Sequence, residues 1–124
     1  MARETELSED EAWEIALNDH PEYRQAYLDG TLPDEITEND GNVMNPRLHL
    51  AVHVIVERQI ANDTPQGMRA IAQQLEELGV SRHEIRNSIA LPLMEQMWGT
   101  THKRHLFDEQ SYLRELREVV ESLR

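Results

Sequence analysis

From Asn45 to Ala61 the chain reads Asn-Pro-Arg-Leu-His-Leu-Ala-Val-His-Val-Ile-Val-Glu-Arg-Gln-Ile-Ala, and its middle, Leu48 to Val56, is apolar on every side except for His49 and His53. Val54-Ile55-Val56 is β-branched and suits a strand, yet the stretch is far longer than the usual strand of about 5 to 6 residues. Asn45 can cap free backbone N–H groups and Pro46 supplies a helical φ at the first position, so the segment predicts a helix. A helix that is apolar all round belongs in the middle of a bundle, and the rest of the chain must wrap it.

The flanking sequence supplies partners for such a centre. Ser8-Glu9-Asp10-Glu11 has capping-box spacing and leads into Ala12, Trp13, Ile15, Ala16 and Leu17, predicting a helix from about Ser8 to Asn18. His20-Pro21-Glu22-Tyr23 opens a short second helix that Gly30 ends, and residues 31 to 44 read as a loop. After Asn62-Asp63-Thr64-Pro65, the stripe Met68, Ile71, Ala72, Leu75 and Leu78 predicts a helix closed by Gly79. Ser81-Arg82-His83-Glu84 repeats the capping-box spacing and starts a helix with Ile85, Ile89, Leu93 and Met97 inward, running to Trp98-Gly99 with a kink expected at Pro92. Asp108 caps a last helix with Tyr112, Leu113, Leu116, Val119, Val120 and Leu123 inward. The expectation is an all-α, single-domain antiparallel helical bundle of five or six helices spanning residues 1–124.

Composition narrows the function classes. The chain has 124 residues, with 24 acidic against 12 basic side chains for a net charge of −12, and Lys103 is its one lysine. Residues 1–42 hold thirteen acids and two bases, so nearly all the excess lies in the N-terminal helices and loop, while the core helices of residues 45–123 are close to balanced. Phosphate-backbone affinity comes chiefly from basic side chains, so this charge argues against nucleic acid as a partner. A helix-turn-helix reading of Ile71 to Ile85, with Arg82 and Arg86 facing DNA, fails on spacing as well as charge: seven residues separate Ala72 from Gly79 where the compact motif has about four. No run reaches the roughly 18 to 20 apolar residues of a membrane span and the charged N-terminus lacks a signal-peptide core, so the expected setting is cytoplasmic, with a protein partner or homo-oligomer left open.

Cysteine is absent, which excludes thiolate zinc sites and thiol catalysis. Histidine and carboxylate are the strong ligands that remain. His49 and His53, at i and i+4, share a helix face and can reach one metal ion, and their apolar neighbours imply that both rings are buried and each needs a partner. Glu57 follows four residues on and is a candidate to ligate or to orient a histidine. His83 falls in a first helical turn, where the dipole favours the neutral imidazole that binds metal. Asn87 lies one turn beyond it, Glu95 two turns further in an apolar run, and His20 opens the short second helix. The candidate metal ligands are thus His20, His49, His53, His83 and Glu95, with Glu57 and Asn87 secondary. Such a nitrogen and oxygen set suits zinc, iron, manganese or nickel. His102 and His105 flank Lys103-Arg104 in a polar loop and read as solvated. No nucleophile elbow, phosphate-cradling glycine loop or dinucleotide fingerprint is present, so the sequence names no reaction. An open coordination position would permit hydrolytic chemistry, and a closed shell would make the metal structural. The alternative is a non-enzymatic protein-interaction module whose histidines are structural core residues.

His20-Pro21-Glu22-Tyr23, Asn45-Pro46-Arg47-Leu48-His49-Leu50-Ala51-Val52-His53, Gln59, the Pro65-x-Gly67 turn and Glu95-x-x-Trp98 together resemble a bacterial family catalogued as domain of unknown function 1841, over about Asn18 to Leu116. The resemblance implies a small helical domain of uncharacterised activity. Its matching elements include His20, His49, His53, His83 and Glu95. In the family pattern the His83-Glu84 element continues with a second histidine where this chain has Asn87, a departure from a four-histidine set.

Overall fold

The computed structural model describes residues 6–102 and 106–124, except for the side chains of residues 101 and 102. Six helices and one short antiparallel ladder follow in the order α1 (Glu9–Asp19), α2 (Pro21–Asp29), β1 (Ile36–Thr37), β2 (Val43–Met44), α3 (Pro46–Asn62), α4 (Met68–Glu77), α5 (Arg82–His102) and α6 (Glu109–Ser122). The fold is all-α. Local chemistry accounts for the boundaries. Ser8 accepts from the Glu11 backbone while the Glu11 carboxylate accepts from the Ser8 backbone, closing the capping box of α1. Asn45 Oδ1 accepts from Leu48 N at the start of α3, and Asp108 Oδ1 from Ser111 N at the start of α6. Gly30, at φ 74°, ends α2 in the left-handed conformation that costs glycine nothing.

The central position of α3 follows from its apolar faces. Val52 and Val56 join Met68, Ile71 and Leu75 of α4, Ile85, Ile89 and Leu93 of α5, and Tyr112, Leu116 and Val120 of α6 in the main core. On another face Val54 packs against Ala12 and Ala16 of α1, whose small side chains let the two helices approach closely. Leu50 meets Leu17 and Leu32, with Trp13, Tyr23 and Tyr27 around them. Helix α5 runs antiparallel to α3: Arg86 near its start bonds Glu57 near the end of α3, while Met94 further along borders Asn45 and Leu48 at the start of α3. This leaves the strip of α3 with Leu48 and Ile55 open to solvent, so the helix is not buried all round as its composition suggests. Three covered sides suffice for a hydrophobic segment of this kind, because single exposed aliphatic residues are normal.

Other departures are local. The expected loop of residues 31–44 contains the β1–β2 ladder, pairing Ile36 with Met44 and Thr37 with Val43. Its turn is closed by Glu38 N donating to Asn42 O and by Asp40 accepting from the Asn42 backbone and amide. Helix α5 continues through Pro92 and past Trp98-Gly99 to His102, with Gly99 buried inside it rather than ending it. Leu78 and Leu123, expected inward, are exposed because each lies just beyond the last turn of its helix, where the chain has left the apolar stripe. Lys103, Arg104 and His105, and the side chain of His102, lie outside the described residues, and with them the expectation that the two histidines are solvated. No helix among the described residues is long and apolar enough to cross a membrane.

Candidate metal centre

His20 occupies the junction between α1 and α2, where it is both the residue after the first helix and the residue before the second. Pro21 cannot donate a backbone hydrogen bond, so the chain breaks and turns there, and the imidazole folds back over α1. Its Nδ1 lies 2.8 Å from the Ala16 carbonyl oxygen. A carbonyl only accepts, so Nδ1 carries the proton and, in the neutral ring, Nε2 carries a lone pair. That lone pair is directed at α3, where His20 Nε2 stands 3.1 Å from His49 Nε2.

His49 and His53 lie along one face of α3 with ring centroids 4.6 Å apart and planes tilted by 41°, and the His20 ring lies 4.9 Å from the first and 4.7 Å from the second. One ligand atom from each of the three rings falls within 4.8 Å of the other two. Two nitrogens about 2.0 to 2.1 Å from one tetrahedral zinc are roughly 3.3 Å apart, close to the observed separation of His20 and His49. His20 and His53 are buried, whereas His49 is half-buried and borders a cleft of about 380 Å³ formed with Glu35, Val43, Met44, Leu48 and Met94. His53 Nε2 is buried with no hydrogen-bond partner, the one such side-chain atom among the described residues. An imidazole nitrogen in that state costs about 1 to 3 kcal/mol unless something fills its coordination.

Electrostatics favour the neutral rings of His53 and His49. Burial, reinforced by repulsion from His49, His20 and His83 and opposed by the Asn87 side chain, pushes His53 down to about 4. Burial also lowers His49, with His20 and His83 acting in the same direction and Glu22 against it. Neutral imidazoles with aligned lone pairs are the form a metal ion requires.

His83 sits at the edge of this group. Its ring lies 6.0 Å from His20 and 6.2 Å from His53, and the residue is exposed at the start of α5. Glu95 is not brought to the cluster. It is twelve residues further along α5, roughly 18 Å of helix, and its position turns it to solvent. Glu57 is buried, but its carboxylate faces α5 rather than a histidine. It accepts from Arg86 at 2.8 Å and 3.4 Å and from Arg82 at 3.0 Å. The two arginines that a DNA-binding reading would aim outward are thus turned inward onto Glu57. Sequence reasoning missed the link from Arg82 to Asp19, also 3.0 Å, which ties the residue before His20 to the residue before His83.

The model of one family matches residues 2–118, nearly the whole chain. The chain belongs to the family described as Domain of unknown function (DUF1841). The matched span takes in His20, His49 and His53 of this DUF1841 domain, and His83 beside them. Comparisons with curated proteins and with solved structures gave no match.

Proposed function

We propose that this DUF1841 domain binds one divalent transition metal ion through His20, His49 and His53, with His83 turning in as a fourth protein ligand. The observation that carries the reading is the buried, unpartnered Nε2 of His53 beside a ring whose tautomer is set by Ala16. If the histidines were ordinary core residues, that nitrogen would be expected to have an acceptor or donor, as buried polar groups generally do. The Ala16 carbonyl acts on His20 as a backbone acceptor does on many metal-bound histidines, orienting the ring and raising its basicity. With no thiolate in the chain, an all-imidazole set suits zinc, iron, manganese or nickel, and the metal identity follows from measurement rather than ligand softness. With His83 bound a tetrahedral shell is closed and the metal is structural, whereas with His83 out the three remaining nitrogens leave a position for a water or a small ligand on the side where His49 meets the cleft, the arrangement of a Lewis-acid centre.

The test is elemental analysis of untagged protein together with the His49→Ala and His53→Ala variants. The expected result is about one metal ion per chain in the parent and none in the double variant. Metal-free parent protein that is fully folded, and whose melting temperature does not move with zinc, manganese, iron or nickel, would sink the reading.

A further inference from the structure

Arg82 touches two carboxylates at once, Asp19 Oδ2 at 3.0 Å and Glu57 Oε2 at 3.0 Å. The three residues have a common placement. Asp19 immediately precedes His20, Glu57 lies one helical turn beyond His53 on the same face of α3, and Arg82 immediately precedes His83. One guanidinium therefore joins the three backbone segments that carry His20, His53 and His83, which are otherwise remote in sequence. A planar, multiply donating guanidinium suits this task because it can hold two carboxylates in a fixed mutual geometry, which a lysine ammonium at the end of a flexible chain does poorly.

We infer that Arg82 is a positioning residue for the metal centre, holding His20 and His83 in register with His53 through Asp19 and Glu57. The inference rests on the metal-binding reading above and assigns the geometry of that site to residues that touch no metal. Its main role is not stability. The Arg82 side chain is 49% exposed and Asp19 33%, and ion pairs at that level of solvation add little to folding. Glu57 meanwhile keeps Arg86, which is well buried, when Arg82 is removed. The chain therefore folds without Arg82, while the α1–α2 junction is released from α5 and the His20 ring gains freedom relative to His53. Groups that orient metal ligands typically change affinity by about ten- to a hundredfold when removed.

The experiment compares the parent, Arg82→Ala, Arg82→Lys and Asp19→Asn, with zinc titrated by calorimetry, cobalt absorption as the coordination readout, and thermal melting of each metal-free protein. The expected result is a tenfold or greater loss of zinc affinity in Arg82→Ala and Asp19→Asn, an altered cobalt spectrum in both, partial recovery in Arg82→Lys, and melting temperatures near the parent's. Parent-like affinity and cobalt spectrum in both Arg82→Ala and Asp19→Asn overturn the inference. So does a loss of affinity that merely tracks a loss of folding across the series, because a purely structural pair has that effect. If the parent itself takes up no metal, the metal reading fails. The clasp is then judged by ring-to-ring NOEs between His20 and His49 in metal-free protein, whose survival in Arg82→Ala overturns it.

Discussion

His20 Nε2 and His49 Nε2 face each other at 3.1 Å although twenty-nine residues separate them, and the proton of His20 is held on the far side of its ring by the Ala16 carbonyl. With a neutral His20 ring, the hydrogen bond between them is therefore donated by His49 Nε2. Its protonated Nε2 is then unavailable as a ligand, and metal binding requires that proton to move to Nδ1 of the same ring. A tautomer shift moves the proton without losing it, so loading a neutral His49 should release no net proton, which calorimetry in buffers of different ionisation enthalpy measures.

Zinc should raise the melting temperature of the parent in a concentration-dependent way, because an ion that binds only the folded state stabilises it by about 2.7 kcal/mol at a hundredfold excess over its dissociation constant. A chelator should reverse the shift, and the His53→Ala variant should show none. Differential scanning calorimetry across a zinc series measures this directly. An equal shift in parent and variant would place the metal elsewhere.

Metal-free protein should lose stability on acidification through a defined window. The His53 ring is pushed down to about 4 in the folded chain from 6.5, mainly by burial. Between these values the unfolded chain binds the proton and the folded chain resists it, so stability is complete above 6.5 and falls as pH drops towards 4. The loss attributable to His53 is on the order of 3 kcal/mol. Replacing it with Gln should flatten that limb of a denaturant-midpoint against pH curve, and an unchanged slope would count against the buried neutral ring.

The two halves of the charge clasp should differ sharply in stability. Removing Glu57 strands Arg86, whose side chain is 12% exposed, and breaking a buried pair in this way costs about 3 to 5 kcal/mol. Removing Asp19 breaks a half-solvated pair worth about 1 kcal/mol or less. Urea unfolding of Glu57→Ala and Asp19→Ala provides the comparison, and similar losses in both would mean that burial does not govern the network.

Tyr112 is fully buried in the main core, and its hydroxyl donates to Gln59 Oε1 at 2.6 Å. Burial raises its phenol well above the ordinary range, so the hydroxyl is a donor at neutral pH. Tyr112→Phe preserves the ring packing but removes this half-buried hydrogen bond, at a cost of about 0.5 to 1.5 kcal/mol. The melting temperature should fall accordingly, whereas Gln59→Leu in the same background should recover part of it.

Much of the fold is legible residue by residue. The Ser8 capping box, the Asn45 and Asp108 caps and the Gly30 stop act within a few residues of themselves, so their geometry is encoded where it is read. The pairing of His49 with His53 belongs to the same class, since an i,i+4 spacing on any helix brings the two rings together. Leu78 and Leu123 show where periodicity overreaches: both continue an apolar stripe past the end of the helix that gave it a face.

Sequence alone determined that this chain is helical, that Asn45 to Ala61 lies at its centre, and that histidine is its only strong nitrogen ligand. Tertiary structure decided which histidines meet. His20 joins the pair on α3 because Ala12 and Ala16 are small enough to seat α1 against Val54, a relation between distant segments that no local spacing records. Packing of α5 against α3 likewise turned Glu57 away from the histidines and onto two arginines, and left Glu95 in water. A helix's periodicity says which residues share a face. Which neighbour covers that face depends on contacts whose sequence separation is set only by the completed fold.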